Sequence, residues 1–263
     1  MRFKAGARPL KAGLHGEPDL SWLIARPITH RGLHDRRQGV VENSASAFAR
    51  SIEAGYAIEC DLQVTAEGEA VVFHDDTLVR MTGAEGRVAD KTVAELQRLP
   101  LLGGADHMQT LPELLAQVKG RVPLVIELKS RFDGDMRLVS RAAELVAAFD
   151  GQASLMSFDP AVVTWLARNA PAIPRGIVAD RMMDEEWRPL PVARRLAMRH
   201  LDHLPQSRPH FLSYEAAGLP CGIARAFRHA GRPVICWTIR SEQQAMRARR
   251  YCDQITFEGF IPA

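Results

Sequence analysis

The sequence predicts one α/β domain of the (β/α)8 barrel class, with a short insertion after the second strand, and three observations predict it. Short apolar runs rich in Val and Ile alternate with segments of helical spacing, and eight such runs can be placed along the chain. A length of 263 residues with 46% hydrophobic content is enough to bury one large core. Several runs end in charged clusters containing histidine or paired acids, the pattern of strands that deliver chemistry to one end of a barrel. No G-x-G-x-x-G follows the first run, which argues against a dinucleotide-binding sheet.

The elements follow in order. Residues 1–26 form a lead-in expected to pack across the barrel floor, and residues 27–263 form the barrel. Pro27 to Thr29 is the first strand, ending at His30, and Ser44 to Ala54 is a helix that Gly55 stops. Tyr56 to Val64 alternates, with Glu59, Asp61 and Gln63 on the face turned toward a barrel lumen. Glu67-Gly68 turns the chain into Glu69 to Phe73, which delivers His74. An excursion to Thr110 carries one short helix, Val93 to Leu99, opened by Thr92 as a cap. Strands then fall at 123–128, 153–156, 175–179, 210–213, 233–237 and 253–257. Helices fall at 112–118, 135–149, 160–169, 185–198, 222–230 and 242–250, with an irregular connection expected around Leu201 to Pro220.

Composition narrows the function classes. Lys and Arg number 34 against 31 Asp and Glu, a net charge of +3 spread along the chain, which leaves no electrostatic footprint for nucleic acid or for a membrane anchor. Cys60, Cys221, Cys236 and Cys252 show no CxxC pairing and lie in apolar segments, as reduced core residues do. The lead-in holds Arg2, Lys4, Arg8 and Lys11 but no continuous apolar stretch, so a cytoplasmic protein is expected.

The charged strand ends define a candidate site. His30, Glu59, Asp61, His74, Glu127 and Lys129 all fall at carboxyl ends of strands or just beyond, hence around one mouth. Three carboxylates gathered there resist ionising without a counter-charge, which a divalent cation supplies. Oxygen-only ligands point to Mg²⁺, Ca²⁺ or Mn²⁺ rather than zinc and leave the histidines free to move protons. With Arg31 and Lys129 as further cations, the set suits a phosphate ester. Each residue also has a structural reading: Glu127 and Lys129 as a lumen salt bridge, Glu42 and Asn43 as caps of the next helix, Trp237 as lumen packing or a wall for the substrate.

The ordered set His30-Arg31-Gly32, Glu42-Asn43, Glu59-x-Asp61, Val71-Val72-Phe73-His74-Asp75 and Ile126-Glu127-Leu128-Lys129 resembles the glycerophosphodiester phosphodiesterase family. The similarity extends through Leu78-Val79-Arg80-Met81-Thr82, Thr110-Leu111-Pro112-Glu113, Ser157-Phe158-Asp159 and Cys236-Trp237-Thr238. What the resemblance implies is a TIM barrel that hydrolyses glycerophosphodiesters to glycerol 3-phosphate and an alcohol, using a divalent metal, in lipid and glycerol metabolism. It assigns His30 and His74 as the acid–base pair and Glu59, Asp61 and Glu127 as metal ligands. Arg31 and Lys129 correspond to phosphate-contacting cations, and Glu42 and Asn43 to residues in or just behind the ligand shell. The substrate's 2-hydroxyl can attack phosphorus in such an enzyme, giving a cyclic phosphate that water then opens.

Two stretches depart from the family pattern. Arg240 stands where Asn is common after the Trp-Thr pair, and Thr256-Phe257-Glu258-Gly259-Phe260 replaces an ending with Thr-Asp before proline. With the short excursion, these departures leave open a lysophospholipase D or sphingomyelinase D-like activity on lipids, or a catalytically silent barrel that binds a ligand. The expected partner is a small-molecule glycerophosphodiester, and a homo-oligomer is left open.

Overall fold

The computed structural model describes residues 18–263 and holds the expected barrel. Among the described residues nine strands form one sheet: β1 Ile28–Thr29, β2 Ala57–Val64, β3 Ala70–Val72, β4 Leu124–Leu128, β5 Ala153–Ser157, β6 Arg175–Ala179, β7 Phe211–Glu215, β8 Val234–Ile239 and β9 Gln254–Phe257. All but β3 are parallel, in the order β1-β9-β8-β7-β6-β5-β4-β2, and β1 closes the cylinder by pairing with both β2 and β9. The hairpin strand β3 runs antiparallel on β2, with Leu62 facing Val72.

Among the described residues ten α-helices accompany them: α1 Ala45–Ala54, α2 Val79–Thr82, α3 Val93–Leu96, α4 Leu111–Val118, α5 Arg137–Ala147, α6 Pro160–Asn169, α7 Val192–His200, α8 Leu204–Ser207, α9 Gly222–His229 and α10 Glu242–Ala248. Caps explain several starts. Ser44 accepts from the Ala47 amide, and Thr92 and Thr110 each form a reciprocal capping box with the Glu three residues on. The single helix expected over 185–198 is instead a 3-10 turn, Glu185–Trp187, followed by α7. Pro189 and Pro191 lie between them, and each removes a backbone donor and disfavours helical geometry in the residue before it. The connection expected to be irregular contains α8 and leads into a regular β7.

Side-chain alternation splits the core into layers. Ile28, Ala57, Val125, Met156, Val178, Phe211 and Ile235 point into the lumen, where Leu20, Trp22 and Leu23 of the lead-in join them as a floor. The part of the lead-in at 1–17 lies outside the described residues. The opposite faces of the strands pack on the helices in two clusters, one on α4, α5 and α6, the other on α9 and α10. Phe211 fills the lumen only because its neighbour is Gly176, where an added Cβ would lie 2.3 Å from the Phe211 ring. The excursion after β3 has its own small core of Val71, Phe73, Leu78, Met81, Leu96 and Met108. Cys60, Cys236 and Cys252 are free and buried, whereas Cys221 is partly exposed and caps α9. Among the described residues no helix is long and apolar enough to cross a membrane.

The floor carries a pH dependence. His210, just before β7, accepts the Arg175 amide at Nδ1 (3.2 Å), and burial, with the charges of Arg175 and Arg232, pushes its pKa down to about 3. The unfolded ring titrates near about 6.5, so the unfolded chain binds the extra proton first as pH falls. The stability from the neutral ring is complete above that value and is lost progressively toward pH 3. Melting curves should therefore fall more steeply from pH 7 to pH 5 for the wild type than for His210→Gln, and parallel profiles would contradict the assignment.

Candidate active site

The lumen-facing positions at the carboxyl ends of the strands form one ring of chemistry. On β2, Ile58, Cys60 and Leu62 pack outward against helices, which turns Glu59, Asp61 and Gln63 inward. On β4, Ile126 and Leu128 pack outward, so Glu127 and then Lys129 face in, and the parallel register sets Glu127 opposite Asp61. Glu59, Asp61 and Glu127 are 3%, 1% and 8% exposed. Each offers an oxygen within 4.8 Å of the others.

The loop after β1 wraps this cluster. Gly32 takes a φ of +78°, and a Cβ there would lie 2.8 Å from that of Ala47, so glycine lets the loop lie on the start of α1. Arg31 and Asn43 adopt left-handed φ angles of 55° and 53°, an uncommon geometry for non-glycine residues that their contacts at this site hold in place. The Arg31 amide donates to Glu59 Oε2 (2.9 Å), its Nη1 to Glu42 Oε1 (2.7 Å), and its Nε lies 3.3 Å from Asp61 Oδ2. Asn43 donates to Asp61 Oδ2 (2.9 Å) and accepts the Asp61 amide (3.3 Å), so it orients that carboxylate. The cap of α1 is Ser44, not Glu42 or Asn43.

Electrostatics favour an added cation. Lys129 Nζ lies 2.8 Å from Asp61 and 2.6 Å from Glu127. Burial works against ionised Asp61, yet Lys129, His74 and Arg31 hold it well below the usual carboxylate range. Glu59 is pushed well above that range by burial and by the charges of Asp61 and Glu127. Three carboxylates therefore face two cations, Lys129 and Arg31, and Arg31 is shared with Glu42, so the triad is left short of positive charge. A buried, oxygen-only set fits a hard divalent cation, and the raised Glu59 is the group such a cation would hold ionised.

Both histidines reach the mouth with the same support. His74 Nδ1 lies 2.7 Å from Asp75 Oδ1, while Asp75 Oδ2 accepts from Arg80 Nε (2.5 Å). Gln63 donates to the His74 carbonyl (2.9 Å) and fixes its backbone. His30 Nδ1 lies 2.5 Å from Glu258 Oε2, while Glu258 Oε1 accepts from Arg240 Nε (2.7 Å). Arg80 also donates to Glu42 (2.8 Å and 3.1 Å), tying His74 through Glu42 to Arg31; the two arginines hold the Glu42 pKa down at about 2 despite burial.

Sequence reasoning assigned no role to Asp75, Arg80, Glu258 or Arg240. Asp75 follows His74 directly, and Glu258 continues the inward alternation of β9, since Ile255 and Phe257 pack outward. Nothing local marks Arg80 or Arg240 as a clamp. Trp237 packs edge-on to Phe158 (ring centroids 5.7 Å apart) in the lumen cluster, and its Nε1 is buried with no hydrogen-bond partner among the described residues.

A closed parallel barrel that gathers an acidic triad, two supported histidines and two inward cations at one mouth has the make-up of an enzyme site suited to metal-assisted acid–base chemistry. Comparison with known proteins names the family. The model of the glycerophosphoryl diester phosphodiesterase family matches residues 30–257. A glycerophosphodiester phosphodiesterase of Caldanaerobacter subterraneus is 31% identical over 173 residues, covering 61% of this chain and 69% of its own length. An Oleispira antarctica phosphodiesterase, solved in complex with the product sn-glycerol-3-phosphate, shares the fold with a TM-score of 0.74 at 20% identity, covering 90% of this chain and 93% of that one. The glycerophosphodiester phosphodiesterase of Thermotoga maritima does so at 0.67 and 24% identity, covering 88% and 92%. The chain belongs to the glycerophosphoryl diester phosphodiesterase family, a family of enzymes.

Proposed function

We propose that this protein hydrolyses glycerophosphodiesters to glycerol 3-phosphate and an alcohol, with His30 and His74 as the acid–base pair and a divalent cation on Glu59, Asp61 and Glu127. The observation that carries the reading is the convergence of the three carboxylate oxygens within 4.8 Å at the same mouth as both histidines.

When bound, the cation would offset charge on the non-bridging phosphate oxygens, and the oxygen-only donors favour Mg²⁺, Ca²⁺ or Mn²⁺. Arg31 and Lys129 add fixed positive charge to the phosphate's surroundings. One imidazole takes the proton of the attacking hydroxyl as the phosphorus–oxygen bond forms. The other gives a proton to the departing alcohol oxygen as its bond to phosphorus breaks. If the attacker is the substrate's own 2-hydroxyl, the cyclic ester is opened by water with the two imidazoles exchanging tasks. A His–carboxylate–Arg arrangement on each histidine, built on Asp75 for one and on Glu258 for the other, suits such an exchange. Burial holds His30 below its ordinary pKa against the pull of Glu258, so at neutral pH it enters uncharged and able to accept a proton. Glu42 and Asn43 keep Arg31 and Asp61 in register, and Trp237 supplies an apolar wall for the glycerol carbons. Free buried cysteines suit a reducing compartment, and we read the cytoplasm as its location.

Product binding tests the substrate class. In the presence of Mg²⁺ or Ca²⁺, calorimetric titration should show sn-glycerol 3-phosphate binding more tightly than inorganic phosphate. Arg31→Gln should weaken it by at least about tenfold, since it loses a charge-assisted contact of ~1.5–3 kcal/mol. Equal affinity for inorganic phosphate would sink the glycerol-specific reading.

A further inference from the structure

We propose that Glu258 is the positioning residue of His30 and that Arg240 clamps Glu258 in place, so that His30 keeps its proton on Nδ1 and turns Nε2 to the substrate. The inference rests on the reading of His30 as an acid–base group. It goes beyond that reading by assigning work to the two positions at which this chain departs from the family pattern.

The backbone explains why Glu258 points where it does. Phe257 is fully buried on the helix side of β9, edge-on to Tyr56 (5.1 Å) and Phe260 (5.7 Å), which turns the next side chain inward. The Glu258 amide donates to the Ile239 carbonyl (3.0 Å), and the His30 amide donates to the Phe257 carbonyl (2.9 Å). Carboxylate and imidazole are thus carried by neighbouring strands whose register is fixed by main-chain bonds, not by a flexible loop.

The side-chain geometry sets the tautomer. A carboxylate oxygen only accepts, so the nitrogen 2.5 Å from Glu258 Oε2 must carry the proton. That leaves the lone pair of neutral His30 on Nε2. Once Nε2 takes a proton, the same carboxylate faces the imidazolium and stabilises it. Glu258 is free to rotate unless its other oxygen is held, and Arg240 Nε holds it at 2.7 Å. His34 Nε2 lies 3.6 Å from the same oxygen, beyond a good hydrogen bond, so His30 at 2.5 Å is the closer of the two imidazoles to Oε2. His74, Asp75 and Arg80 repeat the same three-part arrangement from an unrelated stretch of chain, which marks it as a feature of the site.

The test pairs a spectroscopic readout with kinetics on the metal-loaded protein. Histidine ¹⁵N spectra, with the His30 signals identified by their loss in His30→Gln, report which ring nitrogen is protonated. We expect the Nδ1–H tautomer in the wild type and a shift toward Nε2–H in Glu258→Leu. In that variant kcat should fall about 10²-fold with KM little changed, the effect of misplacing a reacting group. Glu258→Gln keeps an acceptor at the same reach and should recover at least about tenfold of that loss. Arg240→Ala alters an exposed side chain (61%), so it carries the test even if Glu258→Leu fails to fold; it should give a mixture of tautomers. An unchanged tautomer in both Glu258→Leu and Arg240→Ala, or a Gln variant no better than Leu, overturns the proposal. The spectra need no substrate, so they decide the positioning role even if the wild type releases no glycerol 3-phosphate, the result that would overturn the proposed function instead.

Discussion

Replacing His30 or His74 with alanine should lower glycerophosphodiester turnover at least about 10²-fold, the lower bound for losing one general acid or base, or ~3 kcal/mol of barrier. The loss should appear in kcat. Neither histidine touches the triad oxygens through a hydrogen bond, so affinity for the divalent cation should survive in both variants, and calorimetry separates this outcome from loss of the metal site. The double variant should be little worse than either single one, because both imidazoles act in the same proton exchange and residues acting as a unit are strongly non-additive. Near-normal turnover in both single variants would remove the mechanism while leaving the family assignment intact.

The second large effect concerns Asp61. It accepts from Asn43, faces Lys129 at 2.8 Å and Arg31 at 3.3 Å, and is almost wholly buried. Asp61→Ala strands these donors in a site with little water, and breaking a buried pair in this way costs ~3–5 kcal/mol. Relief of repulsion on Glu59 works in the opposite direction. It is the smaller effect, because Glu59 already escapes much of that repulsion by resisting ionisation, whereas Arg31 stays charged in any surroundings and Lys129 keeps only Glu127, at 2.6 Å, as a carboxylate partner. Denaturant unfolding without metal should therefore show Asp61→Ala less stable by that amount. Added Mg²⁺ or Ca²⁺ should raise the wild-type midpoint by mass action and leave the variant's unchanged. Equal stabilisation of both proteins by the cation would contradict the triad as its ligand set.

Much of the barrel was legible because barrel strands are short, apolar and regularly spaced. Helix α6 has the expected bounds, 160–169, and the structure shows why it starts there: Asp159 caps it and Pro160 takes the first helical position. The helix expected at 185–198 was placed too early because its periodicity runs through Pro189 and Pro191, and periodicity does not register the missing donors. In the site, Glu59, Asp61, Glu127 and Lys129 were legible from strand alternation alone. Glu258 obeys the same alternation one residue past β9, yet was read only as a departure from the family ending. Arg80 and Arg240 were illegible for a different reason. Arg80 meets Glu42 across 38 residues and Arg240 meets Glu258 across 18, and such pairings depend on how helix α2 and the end of β8 are carried to the mouth. No local pattern encodes that placement.

The most direct measurement is to incubate the purified protein with glycerophosphocholine, glycerophosphoethanolamine and a lysophospholipid, with Mg²⁺, with Ca²⁺ or with EDTA, and to follow glycerol 3-phosphate and lysophosphatidate. The account predicts glycerol 3-phosphate from the glycerophosphodiesters in the presence of the cation and its disappearance with EDTA. Release that persists undiminished in EDTA, or lysophosphatidate as the sole product, would contradict it.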